Sequence, residues 1–212
     1  MIQDLSVQLV SAWHDTSGIE LTAAVLAVAY LILAIKQRLS CWLAAFVSSC
    51  LYVWVLFTAH LYMESVLNAF YAAMAVYGFR QWRRGGGGTA LKVTRWPIAR
   101  HAIALLGVIA LSAVSSFFLK RFTPAAWPFI DSLVTWSSVY GTFLVARKVY
   151  ENWYWWLAID SASLCLYVNR HLYATALLFG LYLILIAIGM REWRRSLSSF
   201  APGTQPDSHA AA

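Results

Sequence analysis

The sequence predicts an all-α integral membrane protein, with seven transmembrane helices in a 3+1+3 arrangement and two parallel three-helix repeats. Three observations predict it. Hydrophobic residues make up 61% of the 212 and charged residues 12%, about half the charge fraction of a soluble domain. Such a surface cannot be hidden in one small aqueous core and must largely face lipid. The chain also repeats itself at an offset of 111 residues: Lys36 returns as Arg147, Trp42 as Trp153, Tyr71 as Tyr182 and Gly78 as Gly189. His60-Leu61-Tyr62 returns as His171-Leu172-Tyr173, and Arg80, Trp82, Arg83, Arg84 as Arg191, Trp193, Arg194, Arg195. Finally, when apolar segments are placed on alternating sides, 13 of the 16 Lys and Arg residues fall on one side. That asymmetry puts the amino terminus outside and the carboxyl terminus in the cytoplasm.

The elements follow in order. Residues 1–17 form an extracytoplasmic segment. It lacks a basic n-region and carries Asp4 and Asp15, so no cleavable signal peptide is expected. The first repeat, 18–84, holds apolar segments at 19–35, 42–58 and 63–79, each near the ~20 residues needed to cross ~30 Å of hydrocarbon. A cytoplasmic linker, 85–100, opens with four glycines. No strand precedes them and no Gly-Lys-Ser follows, so a flexible connector is read here and not a phosphate-binding loop. The linker helix, 101–121, spans at 101–119. Three is odd, so this extra crossing is what makes the repeats parallel. The second repeat, 122–195, has segments at 128–146, 153–169 and 172–190. The tail, 196–212, with Pro202, Pro206 and terminal alanines, reads as disordered. Cys41, Cys50 and Cys165 show no paired spacing and read as packing residues. His60 and His171 read as turn structure.

Polar residues inside apolar spans are costly and mark candidate function. Asp131, Thr135, Ser138 and Thr142 share a face of the fifth segment; Asn152, Trp156 and Asp160 recur every fourth residue of the sixth, with Trp153 near that stripe. In the third, Asn68, Tyr71 and Ala75 share a face. These faces are expected to point into the bundle and to line a cavity. In register, Asp160 matches Ser49 and Trp156 matches Ala45, so the site is expected to be built mainly from the second repeat. Aromatic rings near segment ends, such as Trp42, Tyr62, Trp82, Trp153 and Trp193, commonly anchor at the interface; Trp82 and Trp193, beside arginines, are read that way. Asp131 follows Pro128 and can also serve as a helix cap.

The run Pro128-Phe129-Ile130-Asp131-Ser132, followed by Arg147-Lys148 and Glu151-Asn152-Trp153 with Trp156, resembles the second half of PnuC-type vitamin transporters. Asn68-Ala69-Phe70-Tyr71, Tyr77-Gly78-Phe79 and Gln81-Trp82 resemble the end of that family's first half. The resemblance covers about residues 18–195. It implies a SWEET-like fold in the bacterial inner membrane and uptake of nicotinamide riboside by facilitated diffusion, with trapping by a cytoplasmic nucleoside kinase. A homotrimer is also implied. Relatives carrying thiamine, riboflavin or deoxynucleosides keep other substrates open.

On that reading Trp156, with Trp153 or Tyr140, stacks on the cationic pyridinium, a contact of roughly 0.5–2 kcal/mol. Asp160, Asn152, Asn68, Tyr71 and Ser138 complete the substrate site, and Asp131 with Ser132 forms an outer site or gate. No cofactor, metal or nucleic acid is expected, and no enzymatic activity. An intramembrane enzyme using Asp131 and Asp160 is the rival from another class, but the two start at different depths and a shared proton needs them close. An ion-coupled symporter also remains compatible with buried carboxylates. A light sensor would need a lysine in 172–190, which has none.

Overall fold

The computed structural model describes residues 18–58, 60, 62–85, 91–122, 127–169 and 173–198. Those residues form seven helices: α1 Gly18–Ile35, α2 Cys41–Thr58, α3 Tyr62–Arg84, α4 Ile98–Phe122, α5 Pro128–Ala146, α6 Asn152–Asn169 and α7 Tyr173–Ser198. The expectations for residues 1–17, for His171 and for the tail from residue 199 lie outside the described residues. Two boundaries move. α4 begins at Ile98, three residues before its expected start, and α7 continues through Ser198, so 196–198 belong to a helix and not to the tail.

Five helices are long and apolar enough to cross a membrane by length and composition. The exceptions are α3 and α6, which carry Asn68 and Asp160. Polar residues, these among them, lower the mean hydropathy of both helices.

The packing forms a ring. α1 meets α2, α2 meets α3, α3 meets α5, α5 meets α6, α6 meets α7, and α7 returns to α1, while α4 lies outside against α5. Moving each contact by one repeat maps the ring onto itself. Outward faces are apolar and exposed, as at Val25, Trp54, Ile103, Leu106 and Ile184, which suits a lipid solvent.

Matching residues close one end of the ring. Trp42 and Trp82 meet edge to face at 5.4 Å and 88°, and Trp153 and Trp193 repeat that geometry at 5.4 Å and 88°. The Trp82 indole N–H donates to the Val145 carbonyl at 3.1 Å, and the Trp193 N–H to the Ala34 carbonyl at 3.1 Å. Trp82 and Trp193 also approach each other at 6.3 Å. All four rings are at most 4% exposed. This corrects the interfacial-anchor expectation: the tryptophans beside the arginines are core residues, because their N–H groups find acceptors at the ends of α1 and α5.

Those ends share one design. Gln37 N–H donates to Ala34 O and Arg38 N–H to Leu33 O; Lys148 N–H donates to Val145 O and Val149 N–H to Leu144 O. This is the two-bond Schellman stop, usually made with glycine. Here Gln37 (φ 53°) and Lys148 (φ 50°) hold the left-handed conformation, at roughly 1–2 kcal/mol each. Their side chains are used in return. Lys148 Nζ donates to Gln37 Oε1 at 3.3 Å and sits 4.5 Å from the Trp82 ring centre; Gln37 Nε2 donates to Ser196 at 2.7 Å. Burial pulls the Lys148 pKa below the ordinary lysine value, opposed by the nearby Cys41 thiol.

Candidate substrate site

A cavity of about 380 Å³ lies inside the ring. Its walls come from all six ring helices, and Trp42 and Trp153 of the tryptophan cluster are among them. α6 supplies Asn152, Trp153, Trp156 and Asp160 at successive helical turns; α3 supplies Asn68 and Tyr71; α5 supplies Ser138 and Thr142. Seven of the eight expected substrate residues therefore line one cavity: Trp156, Asp160, Asn152, Trp153, Asn68, Tyr71 and Ser138.

Tyr140 does not. Its ring packs at 4.8 Å against Trp155, and its hydroxyl lies 3.4 Å from His101 Nδ1 on α4. Two residues beyond Ser138, it falls on a different side of α5 and faces the outer helix. Asp131 is exposed in the first turn of α5 and Ser132 is buried nearby, both away from the cavity. The cap position of that helix is Trp127, with no side-chain cap bond. Asp131 thus complements the helix dipole from the first turn without capping it.

The expectation of a site built mainly from the second repeat also needs correction. Tyr30, Trp42, Ser48, Ser49 and Tyr52 line the cavity from the first repeat. Tyr30 went unselected because a lone tyrosine in an apolar run carries no periodic signal. The offset of 111 does expose its role. Tyr30 and Ala45 correspond to Gly141 and Trp156, so each repeat places one large ring and one small residue at this level, in opposite order. A methyl added to Gly141 would lie 3.2 Å from the Trp156 ring; the glycine lets that indole pack close against α5.

The polar groups are incompletely paired. Asn152 is fully buried, and its Nδ2 donates to Val149 O at 2.6 Å, yet its Oδ1 has no partner among the described residues. The indole N–H groups of Trp42 and Trp153 are likewise buried without an acceptor. Leaving such groups unmade costs roughly 1–3 kcal/mol each. Asp160 is 6% exposed. The ion pairs between described residues run to Glu151 and Glu192, leaving the Asp160 carboxylate to the cavity.

Comparison with known proteins agrees with this architecture. The family model described as nicotinamide mononucleotide transporter matches residues 17–195. Similar proteins include the nicotinamide riboside transporter PnuC of Escherichia coli K12, 25% identical over 210 residues, covering 86% of this chain and 87% of that protein. The riboflavin/roseoflavin transporter RibM of Streptomyces davaonensis is 26% identical over 187 residues, covering 85% and 84%. A crystal structure of the vitamin B3 transporter PnuC superimposes with a TM-score of 0.71 at 20% identity, covering 94% of this chain and 91% of the other, which shows a shared fold. A family match across nearly the whole chain, a shared fold and apolar outward faces lead to one conclusion: the chain is a multi-pass membrane protein belonging to the nicotinamide mononucleotide transporter family.

Proposed function

We propose that this protein carries nicotinamide riboside across the bacterial inner membrane by facilitated diffusion, without enzymatic activity. All seven helices span in a 3+1+3 order, and the arginine-rich end faces the cytoplasm. There a nucleoside kinase phosphorylates the arriving substrate, whose added charge prevents return. A homotrimer is the assembly that the family resemblance implies.

The observation that carries this reading is the grouping of Trp156, Asp160 and Asn152 on one face of α6, inside the cavity. An indole face attracts a pyridinium ring, and a carboxylate facing the cavity complements its charge. A carboxamide and ribose hydroxyls both donate and accept, as do the Asn68 and Ser138 side chains that line the cavity. Riboflavin is the second reading, supported by the likeness to RibM. It is uncharged, so it gives Asp160 no cation to meet.

Equilibrium binding of nicotinamide riboside, thiamine, riboflavin, thymidine and nicotinamide to detergent-purified protein tests the substrate. Nicotinamide riboside alone is expected to bind in the micromolar range or tighter; preference for another compound reassigns it. Asp160→Asn is expected to weaken the cationic ligand by about tenfold, ~1.4 kcal/mol, and to leave any riboflavin binding unchanged. In liposomes, uptake is expected to stop when concentrations equalise, with or without an ion gradient. Accumulation driven by a gradient would establish a symporter.

A further inference from the structure

A second recess lies on the outside of the ring, between α2 and α3 at the arginine-rich end, with a volume of about 480 Å³. Its apolar wall is Leu43, Phe46, Val76 and Phe79, and its rim is Arg80, Arg83 and Arg84. Leu43, Phe46 and Val76 are 58%, 41% and 40% exposed, so the wall faces the lipid side of the bundle. The three guanidiniums are exposed on the last turn and a half of α3, and none pairs with an acid among the described residues. The acid of that helix, Glu64, is in its first turn, at the opposite end, and α2 contains none.

The corresponding end of α7 differs in one decisive position. Gln81 corresponds to Glu192, and Glu192 pairs with Arg195 at 3.6 Å. Arg191, Arg194 and Arg195 therefore have a carboxylate among them, whereas Arg80, Arg83 and Arg84 do not. Helix-dipole complementation explains cations at either end equally. It does not explain three uncompensated ones above an open apolar groove.

We propose that this groove holds an anionic diacyl phospholipid, its phosphate among Arg80, Arg83 and Arg84 and an acyl chain along Leu43, Phe46 and Val76. Guanidinium forks match phosphate oxygens geometrically, and basic recesses between membrane helices suit anionic headgroups. A zwitterionic lipid brings its own cation to the phosphate and gains less from three arginines. Trp42 lines both this groove and the inner cavity, so the bound lipid rests against a ring that also walls the transport pathway.

Native mass spectrometry of the detergent-purified protein, titrated with dioleoylphosphatidylglycerol or dioleoylphosphatidylcholine, tests this directly. Phosphatidylglycerol is expected to bind at least tenfold more tightly. Replacing Arg80, Arg83 and Arg84 together by Ala is expected to abolish the preference, while the same change at Arg191, Arg194 and Arg195 preserves it. Arg83→Gln alone is expected to reduce it severalfold, which keeps the test available if the triple variant is unstable. Equal binding of the two lipids, or equal loss in both triple variants, would overturn the proposal. So would glycerol phosphate binding as tightly as the diacyl lipid, or a change of oligomeric state in the first triple variant with lipid preference intact. That last result would make the groove a protein interface.

Discussion

Gly78 and Gly189 face the rings of Trp42 and Trp153 so closely that an added methyl group would overlap them. Rings buried this deeply cannot retreat, and overpacking a core commonly costs 1–3 kcal/mol. Gly78→Ala and Gly189→Ala are each expected to lower the thermal unfolding midpoint in detergent. Gly180→Ala, with nothing within 4 Å of the added carbon, is expected to leave it unchanged or raise it. Trp156 is a different case, because it lines a cavity and does not plug the core. Trp156→Ala is expected to weaken nicotinamide riboside binding by about 1–3 kcal/mol with the fold intact, measured by calorimetry. Trp193→Ala is expected to act on stability first, since the ring is fully buried and bonded to Ala34 O, and losing such a core ring costs about 3–5 kcal/mol. Trp193 adjoins Arg194, as a tryptophan of an interfacial belt would. Sequence position alone therefore could not separate the packing tryptophans from an interfacial belt; the acceptors at Ala34 and Val145 do.

At the scale of elements, α4 is fastened to the second repeat by a set of contacts that the first repeat lacks. Glu151 Oε2 accepts from the Trp96 backbone N–H at 3.1 Å and lies 3.9 Å from His101 Nε2, while its Oε1 lies 4.0 Å from Arg95 Nε. Thr94 bridges to the same loop through Thr94 N–H to Lys148 O and Tyr150 N–H to Thr94 O. The counterpart of Glu151 is Ser40, which explains why α4 packs on α5 and not on α1. Glu151→Ala is expected to cost about 1–2 kcal/mol of unfolding free energy, the loss of a partly buried charged acceptor, whereas Ser40→Ala at an exposed position is expected to change it by less than about 0.5 kcal/mol. The seven helix positions were readable from apolar run length, and the bounds 128–146 coincide with α5. What remained hidden was sidedness. Tyr140 and Ser138 are two residues apart on one helix, and only the placement of α4 decides that Tyr140 turns outward. Glu151 belongs to a recognisable motif, but its partners Arg95, Trp96 and His101 lie some fifty residues away and no periodicity connects them.

The whole molecule behaves as two similar halves that complete one another. The last tryptophan of each repeat donates to the carbonyl ending the first helix of the other, and the two rings lie 6.3 Å apart. Groups this close are expected to be energetically coupled. A double-mutant cycle with Trp82→Phe and Trp193→Phe is expected to give an interaction term of about 0.5–1.5 kcal/mol in thermal unfolding; strict additivity would mean that the two bonds act independently. The repeat itself was legible from the offset of 111. This reciprocity was not, because it pairs residues 63 and 159 apart, and neither distance is a period of the sequence. Its consequence concerns how this end of the bundle holds together. Parting either indole from its carbonyl strands a buried N–H and a carbonyl. Each half thus holds the other at this end, and loosening either bond is expected to loosen both repeats together.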